Sequence, residues 1–101
     1  MRPIRKDPVQ LKLPYATDVY AAIFEAFPEA RIIAVEYEKV ETLTFGTTRV
    51  MTAFFDGFKH PLSHVMPDEE PTRRSIIGAA EVIGQTARMQ HRRIMRQLEG
   101  A

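Results

Sequence analysis

Two segments of the chain, residues 19–27 and 50–58, share one spacing of large apolar side chains. In each segment these side chains stand at positions i, i+1, i+4, i+5 and i+8: Val19, Tyr20, Ile23, Phe24 and Phe27 in the first, and Val50, Met51, Phe54, Phe55 and Phe58 in the second. Because an α-helix has about 3.6 residues per turn, this spacing puts all five side chains on one helical face. The pattern predicts a short helix in each segment.

The first of these helices is expected at residues 18–27. Thr17 is a suitable N-cap, and the carboxylate of Asp18 would lie in the first turn, at the positive end of the helix dipole. Pro28 ends the helix, because proline cannot donate the next helical hydrogen bond.

The segment 50–58 has two interpretations. As a helix it would begin at Thr47 or Thr48, whose hydroxyl groups could cap it, and end near Gly57. As a strand it would span residues 49–55, since valine, threonine and phenylalanine favour β structure. We favour the helix because of the apolar spacing and keep the strand as the alternative.

Three further segments have the patterns of strands. Residues 31–37 form a near-continuous apolar run rich in β-branched side chains, which is typical of a buried strand. Residues 9–13 alternate apolar and polar side chains, as a half-buried strand does, and residues 64–66 are long enough for a short strand. Together the elements predict an α/β fold, a small sheet in two or three layers with two short helices and one long one.

The longest predicted element is a C-terminal helix at residues 72–98. Its apolar side chains are three or four residues apart, and at 1.5 Å per residue it would be about 40 Å long. Because that length exceeds what a domain of this size requires, we expect part of the helix to project or to pack on a partner. Its first half contains small residues that allow another backbone to approach closely: Gly78, Ala79, Ala80, Gly84 and Ala87.

The second half of that helix carries the best candidate binding residues. Arg88, Arg92 and Arg96 are four residues apart and would form one ridge, which Arg93 widens toward the apolar stripe. Guanidinium groups bind carboxylates and phosphates, so an acidic protein and a nucleic acid are both candidate partners, and a merely solvated face is the alternative. The lack of aromatic residues among these arginines argues against nucleic acid.

The length, the lack of cysteine and the distribution of charge restrict the classes of protein to which the chain can belong. The 101 residues suit one domain, which we assign to residues 1–101 with a loose, flexible arm at residues 1–7. The chain has no cysteine and no apolar run near the roughly 20 residues that cross a bilayer, so we expect a cytoplasmic protein without disulfides or membrane contacts. Its charge is uneven: residues 13–70 hold four basic and ten acidic residues, whereas residues 71–101 hold six arginines and two glutamates.

The residues offer no adequate set for catalysis or for metal binding. His60, His64 and Asp68 are four residues apart, but Pro61 between the histidines disfavours a shared helical face. The chain also lacks a glycine-rich phosphate loop and a serine beside a suitable base. We therefore expect a non-catalytic protein without metal or cofactor. His91, on the apolar stripe of the long helix, is expected to be a packed or interface histidine.

Residues 34–55 have the sequence Ala-Val-Glu-Tyr-Glu-Lys-Val-Glu-Thr-Leu-Thr-Phe-Gly-Thr-Thr-Arg-Val-Met-Thr-Ala-Phe-Phe. This segment resembles the central signature of STAS-like domains, known best from anti-sigma-factor antagonists, and the resemblance extends over residues 17–58. The matches are Val35, Glu36 and Tyr37 at the end of the family's buried strand, Val40 at its turn valine, and residues 43–48 at its Ser/Thr/Gly-rich loop. The resemblance implies a phosphorylatable hydroxyl at a helix N-terminus, which falls on Thr47 or Thr48.

These observations predict a non-catalytic regulatory or inhibitory adaptor that acts by protein binding and dimerises through the long helix. Small cysteine-free domains with one overlong helix are common among bacterial and mobile-element regulators, which is an analogy of architecture alone. A nucleic-acid-binding protein that uses the four arginines is the first alternative, and a phosphoswitch at Thr47 or Thr48 is the second.

Overall fold

A computed structural model describes residues 8–44 and 46–100, and within them the chain forms two helices and four strands. In chain order these are β1 (Val9–Leu11), α1 (Ala16–Ala26), β2 (Ile32–Thr42), β3 (Gly46–Phe55), β4 (Leu62–Met66) and α2 (Arg73–Glu99). The arm predicted at residues 1–7 lies outside the described residues.

The four strands form one antiparallel sheet in the order β1-β2-β3-β4, so strands that follow one another in the sequence are also neighbours. The strands predicted at residues 9–13, 31–37 and 64–66 correspond to β1, the first part of β2 and the end of β4. The mixture of sheet and helices, one of them long and C-terminal, confirms the predicted α/β class.

The predicted second short helix is wrong, because residues 46–55 form β3, which contains the strand kept as the alternative at residues 49–55. β3 pairs with β2 along one side and with β4 along the other. As a central strand it has buried side chains on both faces: Met51 and Phe55 lie on the face toward the helices, and Thr52 lies on the opposite face. An apolar strand of this kind also satisfies a helical spacing, so only its β-branched and aromatic composition indicated the correct structure.

β2 is longer than the strand predicted at residues 31–37. Residues 38–42, which follow the predicted strand, continue it and pair with residues 46–50 of β3. Gly46 begins β3 with a φ of +69°, a left-handed conformation that glycine adopts without steric strain.

α1 begins earlier than predicted, so Thr17 lies inside the helix and is not its N-cap. The N-cap is Tyr15, which has a left-handed backbone at φ 51° and ψ 42° and makes no side-chain cap hydrogen bond. Asp18 lies in the first turn as predicted, and it also accepts a hydrogen bond of 3.0 Å from the guanidinium group of Arg73. α1 ends before Pro28, which confirms the predicted stop.

Both helices contribute to a single core against one face of the sheet, so the fold has two layers. The strand register places Tyr37, Met51 and His64 side by side on that face. The largest contributors to the core are Val19, Ile23 and Phe27 from the α1 region, Tyr37, Met51 and Phe55 from the sheet, and Ile76 and Ile83 from α2.

The small residues in the first half of α2 serve the contact between the two helices. Ala79, Ala80 and Gly84 are buried. A Cβ placed on Gly84 would lie only 3.0 Å from the carbonyl oxygen of Ile23 in α1. The backbone that approaches these residues therefore belongs to the same chain.

Candidate protein-binding surface on the C-terminal helix

The C-terminal part of α2 extends beyond the core. α2 contains 27 residues, and its last buried residue is Ala87. Farther along the same apolar stripe Ile94 is half-buried and Leu98 is 67% exposed. We call residues 88–99 the overhang. The predicted helix at residues 72–98 agrees with α2 to within one residue at each end, so the expected excess length is confirmed.

An aromatic cluster closes the core at the base of the overhang. The centroid of the Phe27 ring lies 6.1 Å from that of Phe55, 6.4 Å from that of Phe58 and 5.2 Å from that of His91. His91 is therefore a packed histidine, one of the two roles predicted for it. This packing anchors the first turn of the overhang to the sheet and to the end of α1.

Three large apolar side chains of the overhang are exposed to solvent. The exposed fraction is 59% for Met89, 44% for Met95 and 67% for Leu98. Met95 and Leu98 are three residues apart and lie side by side on the helix, whereas Met89 lies on the side of the arginines. Neighbouring apolar side chains on a surface often mark an interaction site. Methionine and arginine are enriched in protein interfaces and lysine and glutamate are depleted, and the overhang has four arginines, two methionines, one glutamate and no lysine. Its composition is thus that of an interface.

The four predicted binding residues, Arg88, Arg92, Arg93 and Arg96, all lie on the overhang and are all exposed. Within residues 8–44 and 46–100, the side chains of these four arginines make no hydrogen bond and no ion pair. Arg73, at the other end of α2, is engaged, because it pairs with Asp18 and lies 5.9 Å from the centroid of the Tyr15 ring. The guanidinium donors of the overhang therefore remain free for another molecule.

A cavity of about 410 Å³ lies between the overhang and the segment that joins β3 to β4. Phe58, Leu62 and Ile94 line it with apolar surface, and Lys59 and Arg93 line it with positive charge. A shallower depression of about 290 Å³ adjoins it, since Arg93 and Gln97 line both. The sequence did not predict this site, because only the pairing of β4 with β3 brings residues 58–62 beside a helix some thirty residues later.

The predicted phospho-acceptors lie in β3 and not at a helix N-terminus. Thr48 is fully buried, and its hydroxyl donates a hydrogen bond of 3.1 Å to the carbonyl oxygen of Val40. Thr47 is half-buried in the same strand. The helix dipole and free N–H groups that would stabilise a phosphate are therefore missing at this position, which removes the physical reason for the prediction.

The histidines considered as metal ligands lie in different surroundings. His60 is exposed in the segment between β3 and β4, and His64 is half-buried in β4 on the face toward the helices. Across the described part of the chain, no three His, Asp or Glu side chains are grouped so that they could hold a metal ion.

A tyrosine and an arginine lie together on the inner face of the sheet. Tyr37 is only 5% exposed, and its burial raises the pKa of its hydroxyl above the ordinary value of 10.0, a rise that the positive charge of Arg49 partly offsets. The Nη1 atom of Arg49 is buried and has no hydrogen-bond partner among the described residues. This pair is a buried polar feature within the core layer.

No helix within the described residues is long and apolar enough to cross a membrane. Comparisons of the chain with known protein families, with curated proteins and with solved structures found no match. The resemblance to STAS-like domains therefore stays a prediction, and the case for function depends on the surface of α2.

Proposed function

We propose that this protein is a non-catalytic regulatory or inhibitory adaptor whose overhang binds a partner protein with an acidic surface. The observation that carries the proposal is the exposure of Met95 and Leu98, neighbours on the helix, beside arginines that have no partner in the described chain. Apolar side chains would form the centre of such an interface, and the guanidinium groups would pair with carboxylates around it.

The apolar side chains favour a protein over a nucleic acid as the partner. Contacts with phosphates need only positive charge, so exposed methionine and leucine side chains would contribute little to them. The net charge of the chain is only +1, and its central part is acidic. Without the partner, we expect two copies of the chain to pair weakly through the same apolar side chains.

Photo-crosslinking in the cells that make the protein tests this proposal. A benzoylphenylalanine at Met95 should form a covalent adduct with one protein. The matched control is Val82, which lies on the same helix before the overhang and is exposed to the same 44%. The adduct from position 95 should disappear when Arg92 and Arg96 are both replaced by Gln, and the same probe at position 82 should not form it.

The partner identified in this way is then purified and its affinity is measured directly. Replacing both arginines should weaken binding at least about tenfold, because each charged hydrogen bond contributes roughly 1.5–3 kcal/mol. An adduct that forms equally from position 82, or binding that survives the replacements, contradicts the proposal. A band shift with a mixed-sequence DNA or RNA duplex that is lost in the double variant makes the overhang a nucleic-acid site. If a second copy of the chain is the sole adduct, the overhang is only a dimer interface.

A further inference from the structure

The cavity beside the overhang has the properties of a small-molecule site. Its volume of about 410 Å³ falls in the range of ligand pockets, roughly 300–1,000 Å³. Its walls come from two elements of one chain: Phe58 and Leu62 on the strand side, and Ile94 on the helix side. Such pockets bind an apolar body and orient it through a few polar groups.

The charged groups that line the cavity, Lys59 and Arg93, are both positive. Lys59 and Arg93 stand on opposite walls, His60 is next to Lys59, and none of the described lining residues is acidic. Gln90 and Gln97 add amide groups that can donate hydrogen bonds. A carboxylate fits this set, because the guanidinium fork binds its two oxygens and the ammonium group adds a second positive charge.

We propose that the cavity binds a small carboxylate with an apolar body, of the arylalkanoate type. The apolar body lies between Phe58, Leu62 and Ile94, and the carboxylate pairs with Arg93 and Lys59. A small molecule is the more suitable occupant, because the volume of about 410 Å³ matches that of ligand pockets. The ligand would touch both of these elements at once and so hold the overhang against the sheet.

Titration of the ¹⁵N-labelled protein with 4-phenylbutyrate tests the proposal by NMR. Amide shifts should be concentrated at residues 58–62 and 90–97, with a Kd on the order of 1 mM, as expected for a ligand with about twelve heavy atoms. The neutral 4-phenylbutyramide, which has the same apolar body, should bind about tenfold more weakly, since it lacks the charged hydrogen bonds.

Two variants identify the group that recognises the carboxylate. Arg93→Gln should remove the preference of the protein for phenylbutyrate over the amide. Arg74→Gln is the matched control, because it makes the same charge change on an exposed arginine of α2 that does not line the cavity. This control should keep the full preference.

Several results would overturn the proposal. One is the absence of shifts at the highest soluble concentration of phenylbutyrate, and another is equal binding of acid and amide. The acetylated, amidated peptide Asp-Leu-Phe-Glu is titrated as a third ligand. If it shifts the same amide signals at a lower concentration than phenylbutyrate does, the cavity is a docking site for a protein segment. This proposal does not depend on the protein partner of the overhang, so the small-molecule site and the proposed function can be contradicted separately.

Discussion

A Cβ added to Gly84 of α2 would lie 2.8 Å from the Cβ of Ala26 in α1, closer than such atoms approach one another in proteins. Gly84→Ala should therefore destabilise the protein by about 1–3 kcal/mol, since α1 and α2 must separate to admit the methyl group. Urea denaturation followed by circular dichroism measures the change in the free energy of unfolding.

Gly78 provides the control for that experiment. It lies in the same helix, and a Cβ there would meet nothing within 4 Å. Gly78→Ala should stabilise the protein by about 0.5–1 kcal/mol, because alanine is the better helix former. Equal effects at positions 78 and 84 would show that helix propensity, and not contact between the helices, determines the outcome.

Thr48 should contribute to stability through its buried hydroxyl. Thr48→Val keeps the shape of the side chain but removes the hydrogen bond to the carbonyl oxygen of Val40, so we expect a loss of about 1 kcal/mol. Thr47→Val, in the next position of β3, should change the stability by less than about 0.5 kcal/mol. Both values come from thermal or urea unfolding, and a Thr48→Val protein as stable as the original would contradict the prediction.

Tyr37 should make the protein sensitive to alkaline pH. Burial raises the pKa of its hydroxyl in the folded state above 10.0, so the folded chain holds this proton more tightly than the unfolded chain does. Its contribution to stability is complete below about pH 10 and is lost as the pH rises through the raised pKa.

The comparison with Tyr37→Phe isolates this effect. The difference in absorbance at 295 nm between the two proteins should show a titration midpoint above pH 10. The decline in the free energy of unfolding above that pH should also be less steep in the variant. A midpoint at or below pH 10 would mean that burial does not control this hydroxyl.

Self-association should depend on the apolar side chains of the overhang. We expect light scattering at rising concentration to show a mass approaching twice that of the chain. Replacing Met95 and Leu98 together by Gln should return the mass to that of the monomer, because these side chains are 44% and 67% exposed in the single chain. The control Val82→Gln should leave the association unchanged; a monomer at every concentration would exclude the dimer.

The sequence predicted the secondary structure correctly where the apolar side chains of a segment follow a single period. α1 and α2 each bury one stripe, so their periodicity predicted both helices, and the four arginine positions followed from the helical spacing. β3 buries both of its faces, so its apolar run fits a helix as well as a strand. The end of β2 was missed for the opposite reason, because residues 38–42 are mostly polar and resemble a loop.

The cavity could not be predicted from the sequence at all. Its lining combines residues 58–62 with residues 90–97. Nothing in the sequence of either segment indicates that the two are in contact. Only the antiparallel pairing of β4 with β3 and the direction of α2 bring them together.

The packing of α1 on α2 also has a consequence for the order of folding. Each strand pairs with the next strand in the sequence and can do so early, but α1 has its main packing partner in α2, the last of the described elements to be synthesised. During translation the apolar face of α1 therefore stays exposed to solvent until α2 has left the ribosome. A chain that terminates early, within α2, would then expose two apolar surfaces, that of α1 and that of the sheet.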